Sequence, residues 1–143
     1  MESLFQGISV QSNRIIYTPS AFARANLLHL QEAGELKALK PHTSSRENLF
    51  SFLFFLVTDG AGSLLYDGQS HCLQAGDCVF IDCRKPYAQG SSEENLWSLK
   101  WAHFYGSSMN GIYEKYVERG GRPAFTPQEP ALFASLLDCL LAI

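Results

Sequence analysis

Between Phe50 and Gly106 the chain breaks every apolar stretch after a few residues. The interruptions are Asp59-Gly60, Asp67-Gly68, Ala75-Gly76-Asp77, Lys85-Pro86 and the polar run Gly90–Asn95. Long helices cannot form across such punctuation, whereas short strands at even spacing build a barrel or sandwich. Phe50–Val57 is apolar on both parities, as a strand covered on both faces requires. Asp67-Gly68 separates Ser63–Tyr66 from Gln69–Leu73 and is a hairpin signal, because both turn positions need positive φ. Cys78–Ile81 reads as a further strand, and Tyr87–Gln89 resumes the pattern after Pro86. The last long strand is Trp97–Tyr105. Alternate side chains share a face, so Trp97, Leu99, Trp101, His103 and Tyr105 are expected on one side. Two indoles, an imidazole and a phenol in a row suit a pocket better than a plain core. A barrel with a pocket and no evident catalytic set points to a sensor.

On either side of this region the rhythm changes. Residues 1–25 have little apolar periodicity and read as an irregular arm or lead-in. Asn26–Leu39 alternates around Ala33-Gly34 and predicts two short strands with a turn. Lys40–Asn48, with Pro41 and Ser44-Ser45, predicts a loop. After Gly106, Ser107-Ser108 can cap a helix carrying Ile112, Tyr113, Tyr116 and Val117, which Gly120-Gly121 would stop. Pro123–Phe125 suits a short strand, and Thr126 to Glu129 has capping-box spacing. Leu132, Phe133, Leu136, Leu137, Leu140 and Leu141 then form one apolar stripe. That stripe has two uses, packing on its own barrel or against its twin in a two-fold dimer. It is still running at Ile143 with no C-cap, so the natural polypeptide is expected to continue. The expected divisions are an arm over 1–25, a barrel over 26–106 and a helical segment over 107–143.

Composition narrows the function classes. The 143 residues suit one domain, and 46% apolar with 17% charged residues is a globular balance. A net charge of −3 argues against this segment gripping nucleic acid itself. Its longest apolar stretch, Phe52–Val57, is far short of the roughly 20 residues of a membrane span, and no secretory signal opens the chain. Cys72, Cys78, Cys83 and Cys139 are then expected as free thiols in a reducing cytoplasm. His29, His42, His71 and His103 are isolated, and the Cys gaps do not match paired zinc spacing, so no metal or other cofactor is expected. There is no Gly-x-Ser-x-Gly elbow. Cys83, beside Arg84 and Lys85, is the one thiol in a basic context. Glu93-Glu94 reads as a solvated loop pair. No catalytic residue is assigned.

Four motifs taken in order carry a family resemblance: Phe55-Leu-Val-Thr-Asp-Gly-Ala-Gly62, Leu65-Tyr-Asp-Gly68, Leu73-Gln-Ala-Gly-Asp77 with Phe80-Ile-Asp82, and Trp97-x-x-x-Trp101-x-His-Phe104-x-Gly106. Over residues 15–140 the chain resembles the amino-terminal effector domain of AraC-type transcription regulators. The resemblance implies a mainly β, cupin-like barrel of jelly-roll type followed by a helical dimerisation segment. It also implies a small-molecule effector, an arm that folds over the pocket, and DNA contact only through a helix-turn-helix region absent from this chain. In sugar-sensing members an arginine ahead of the Phe50-type strand and a tryptophan in the last strand contact the effector. Arg46 and Trp101 match those places. Relatives commonly carry a His near the Pro86-Tyr87 turn, where this chain has Lys85-Pro86-Tyr87-Ala88, so that contact does not carry over.

The resulting expectation is a cytoplasmic, homodimeric, non-enzymatic sensor domain that binds a sugar-like molecule. Trp101 would supply a stacking wall and Arg46 a polar fork for a hydroxyl or carboxylate. His103, Tyr105 and Tyr87 would make lesser contacts, and Leu132, Phe133, Leu136, Leu137, Leu140 and Leu141 would form the dimer. Each has a plainer reading beside it: barrel filling for Trp97 and Trp101, a solvated loop for Arg46, a satisfied core histidine for His103, a surface aromatic for Tyr87. Two other classes stay open. One is a metal-dependent cupin enzyme, such as a sugar isomerase or dioxygenase, and the other a ligand-free dimerisation module.

Overall fold

The structure is a computed structural model and describes residues 10–143. Ten strands and three helices follow one another as β1 (Val10–Ile16), α1 (Ala21–Asn26), β2 (His29–Ala38), β3 (Thr43–Arg46), β4 (Phe52–Asp59), β5 (Ala61–Tyr66), β6 (Gln69–Gln74), β7 (Cys78–Asp82), β8 (Tyr87–Ser91), β9 (Ser98–Tyr105), α2 (Met109–Glu118), β10 (Ala124–Phe125) and α3 (Pro130–Leu141). The strands form two sheets, β1-β2-β9-β4-β7-β10 and β3-β8-β5-β6. All their pairings are antiparallel. Such sheets commonly bury one face and expose the other, and here the two inner faces enclose the main core.

Alternation along β4 explains its unbroken apolar sequence. Leu53, Phe55 and Val57 point between the sheets with Leu64, Leu73, Val79, Ile81 and Leu99. Leu56 and Phe54 point the other way, joining Ala102, Phe104, Phe133 and Leu137 under α3. Strand β4 is therefore covered twice, as its composition requires. The expected hairpin joins β5 to β6 through Asp67 and Gly68, whose φ values are 49° and 82°. Positive φ at both positions gives the turn the twist that the flanking strands need.

Four local expectations are corrected. First, part of the 1–25 lead-in is regular: β1 pairs with β2 from Val10↔Ala38 to Ile16↔Glu32, ahead of the boundary expected at Asn26. Ser20 caps α1 by accepting from the Ala23 amide; residues 1–9 of the expected arm lie outside the described residues. Second, Ala33-Gly34 is no turn. β2 runs straight through it, and Gly34 sits opposite Trp101 in register. Third, the polar 40–48 segment contains β3, which pairs with β8 from Thr43↔Gly90 to Arg46↔Tyr87. Finally, Thr126 does not cap α3. Its hydroxyl donates to Asp77 Oδ1 at 2.6 Å, while Glu129 occupies the N-cap and Pro130 starts the helix, a first-turn position where its missing N–H costs nothing.

In α2, Ser108 occupies the N-cap without a side-chain hydrogen bond. Tyr113 and Tyr116 pack their rings on Phe80 at 5.1 and 5.0 Å, whereas Ile112 and Val117 remain exposed. The ring contacts of the two tyrosines set the buried side of this helix.

Candidate functional site

The inward-facing residues of five strands meet at one end of the sandwich. β9 contributes Trp101 and His103, β3 contributes Ser44 and Arg46, and β8 contributes Tyr87 and Gln89. Leu36 and Leu53 supply the apolar wall. The space these residues enclose is about 20 Å³, with a partial opening to solvent. That volume holds about one water molecule. Elsewhere the interior is filled by side chains such as Trp97, Phe55 and Leu64, all 0% exposed.

Trp101 is held from two sides. Its indole Nε1 donates to Glu32 Oε2 at 2.7 Å, and Glu32 Oε1 accepts from Arg14 Nη1 at 3.3 Å. The ring lies over Gly34, where any Cβ would run into its Cζ2 and Cη2 atoms. Glycine at that position serves close approach to the indole. Trp97 packs similarly over Gly62, and its Nε1 donates to His42 Nε2 at 3.2 Å. It fills the barrel away from the cavity.

The remaining lining groups are mostly neutral. His103 Nδ1 lies 2.8 Å from the buried Ser51 hydroxyl. Burial, with the Arg46 charge adding to it, pushes the His103 pKa down to about 4. The imidazole is therefore uncharged at neutral pH. Burial likewise pushes the Tyr87 phenol up. Beside it, burial pushes the Cys83 thiol up to about 12, so the basic neighbours Arg84 and Lys85 do not activate it. Arg84 instead turns to Asp82 at 2.7 Å. Gln89 Oε1 is buried with no hydrogen-bond partner among the described residues. Arg46 is half-buried, and no acid among the described residues forms an ion pair with it.

The fold thus brings Arg46, Tyr87, Trp101 and His103 together around one cavity, and places Tyr105 elsewhere. Its parity along β9 matches that of His103, but the strand ends there. The ring stacks on Phe52 at 6.1 Å and 17° and meets Phe50 edge-on at 6.2 Å, on the outer side of the sheet. Several lining residues escaped sequence reasoning. Ser44 and Gln89 are polar residues in stretches with weak apolar pattern. Their signal was alternation in step with Arg46 and Tyr87, visible once β3 is known to be a strand. Glu32 and Arg14 carried no sequence signal, because Glu32 meets Trp101 across 69 residues of chain and Arg14 meets Glu32 across 18.

The α3 stripe divides. Leu137 is 6% exposed, and Phe133 and Leu140 pack with it on the outer face of the larger sheet. Leu132 and Leu136 are each 53% exposed, and Leu141 is half-buried. Among the described residues, no three His, Cys, Asp or Glu side chains come together as a group that could hold a metal ion. No helix among them is long and apolar enough to cross a membrane.

The architecture recurs in solved cupin structures. It is similar to the Cnp3 cupin domain of Schizosaccharomyces pombe, with a TM-score of 0.55 and 8% identity over 84% of this chain and 77% of that one. A cupin 2 conserved barrel protein from Salinispora arenicola gives 0.52 and 14%, over 79% and 89% of the two chains. The cupin domain of an XRE family transcriptional regulator from Enterobacter cloacae gives 0.52 and 11%, over 68% and 97%. At these identities the likeness establishes a cupin-like fold and nothing finer. The family follows from the sequence: the chain belongs to the AraC-like ligand binding domains, which match it over residues 29–143. No functionally curated protein matches it.

Proposed function

We propose that this domain senses a small, polar, sugar-like molecule at the Trp101 cavity and acts without catalysis. The observation that carries this reading is the convergence of Arg46, Tyr87, Trp101 and His103 from three strands onto one cavity. Trp101 offers an aromatic wall, Arg46 a fork of donors, and His103 and Tyr87 neutral polar groups. In the full regulator, effector binding would bias a cytoplasmic homodimer between two DNA-binding geometries. A ligand shifts such an equilibrium only by its difference in affinity for the two states. The exposed Leu132 and Leu136, with Leu141 beside them, would supply the dimer contact, while Phe133, Leu137 and Leu140 anchor the helix to its own sheet. DNA contact is assigned to a region outside this chain.

The interior volume of about 20 Å³ makes one requirement of the reading. A sugar-sized effector needs Arg46 or Tyr87 at the mouth to move aside. Thermal-shift screening of the chain against sugars, sugar acids and polyols tests it. A binder present at 100 times its Kd stabilises the fold by about 2.7 kcal/mol, and Trp101→Ala is expected to abolish that shift. If no compound stabilises the protein, or the substitution leaves the shift intact, the pocket assignment is wrong.

A further inference from the structure

The charge balance around the cavity narrows the effector further, granted the sensing role proposed above. Arg46 alternates inward on β3 with Ser44 and brings a full positive charge to the cavity wall. Every nearby acid among the described residues is engaged elsewhere or faces solvent. Glu32 already accepts from both Arg14 and Trp101. Asp82 is clamped by Arg84 and Asp67 pairs with Lys85, while Glu47 is exposed. The other ionisable groups at the wall, His103 and Tyr87, are neutral at pH 7, as is Cys83 beside them. A half-buried cation without a counter-charge is costly, and an anion that enters removes the cost.

A second atom adds a different demand. Gln89 Oε1 is buried at the same wall without a partner among the described residues, and an amide oxygen can only accept. It calls for a hydroxyl or N–H donor beside the anionic group. We infer that the effector is a small hydroxy acid, sugar acids included, with its carboxylate on Arg46 and a hydroxyl donated to Gln89. Space is available on the solvent side. Arg46 and Tyr87 also border an outer cleft of about 360 Å³, lined with Ser45, Glu47, Leu65 and Pro86. Arg46 therefore stands between a water-sized interior and a volume that fits a small organic acid. The Glu47 carboxylate at that cleft is in solvent, where salt screens it.

The test is calorimetric titration of the 143-residue chain at pH 7 with matched pairs: lactate against 1,2-propanediol, gluconate against glucitol, galacturonate against galactose. At least one acid is expected to bind, with its neutral counterpart at least tenfold weaker. Arg46→Gln should weaken the acid about 10- to 100-fold, the range for a charge-assisted pair, and Arg46→Lys should recover part of the loss. Melting curves establish that each variant is folded. If Arg46→Gln does not fold, Gln89→Leu takes its place, with a loss of about tenfold expected. NMR gives an independent signature, because a bound anion opposes the Arg46 field and raises the His103 titration midpoint. Neutral compounds binding as tightly as the acids, or acid binding indifferent to both substitutions, overturns the hydroxy-acid inference and leaves sensing intact. No binding by any member of the pairs, with His103 unshifted, overturns both.

Discussion

His103 shows how one residue's surroundings become a property of the whole fold. Its ring sits against Ser51 inside the sandwich, with Arg46 on the same wall. Its folded pKa of about 4 lies below the 6.5 of an ordinary imidazole. Above pH 6.5 both states are neutral and the stabilising difference is complete. Between 6.5 and 4 the unfolded chain binds a proton that the folded chain refuses, so stability falls as pH falls. Complete loss amounts to on the order of 3 kcal/mol, and burial of His42 acts in the same direction. Urea denaturation at pH 7 and pH 4.5 should show this loss, and His103→Gln should flatten most of the slope. The cysteines offer a second check. Cys72 and Cys139 are exposed, whereas Cys78 and Cys83 are buried with thiols pushed up to about 12 by burial. A thiol reagent at pH 8 should label the first pair quickly and the second only on unfolding.

At the scale of an element, α3 carries two different surfaces on one stripe. Leu137 is wedged against the outer face of the larger sheet with Leu56 and Ala102. Leu137→Ala should therefore cost about 2–5 kcal/mol in equilibrium unfolding. Leu132 and Leu136 stand in solvent. Replacing both with Asp should change the intrinsic stability of the fold by only about 0.5 kcal/mol per site. If these leucines form the proposed dimer, sedimentation should report a monomer. A folded double variant that remains dimeric moves the interface elsewhere. Lys100 adds orientation, reaching Asp138 of the helix at 2.6 Å and Glu35 of β2 at 3.2 Å. Those contacts tie α3 to the sheet, at a modest gain because the acids are largely exposed.

On the scale of the whole molecule, the sheet order joins distant parts of the chain. β9 is sandwiched between β2 and β4, and the Glu32–Trp101 bond closes a separation of 69 residues. Proteins dominated by such pairings fold in milliseconds to seconds, because loop-closure entropy is lost before the contacts form. Stopped-flow tryptophan fluorescence should place refolding in that range. Gly34→Ala probes the same long-range joint: a Cβ there meets the Trp101 ring, and forcing the indole aside should cost about 1–3 kcal/mol. Near-UV circular dichroism should change with it.

What could be read directly from the chain was local or periodic. Asp67-Gly68 names its turn because positive φ is a property of two adjacent residues. Phe52–Val57 declares a doubly covered strand because burial on both faces leaves no polar position. The inward set Trp97, Leu99, Trp101 and His103 follows from the period of a strand, up to the point where β9 ends and Tyr105 turns outward. Arg46 came from family resemblance, because a polar Thr43–Arg46 segment gives no apolar signal that it is a strand. Gly34 misled because glycine suits a turn and a close approach equally well, and only the position of Trp101 in another part of the chain separates the two. Local pattern marked the strands from β4 to β9, the β5–β6 hairpin and the inward parity of the β9 aromatics, all set by short-range sterics and side-chain alternation. The tertiary structure alone decided which charges are paired, that Arg46 and Gln89 share a cavity, and which leucines of α3 are left to solvent, because each depends on contacts between residues far apart in the chain.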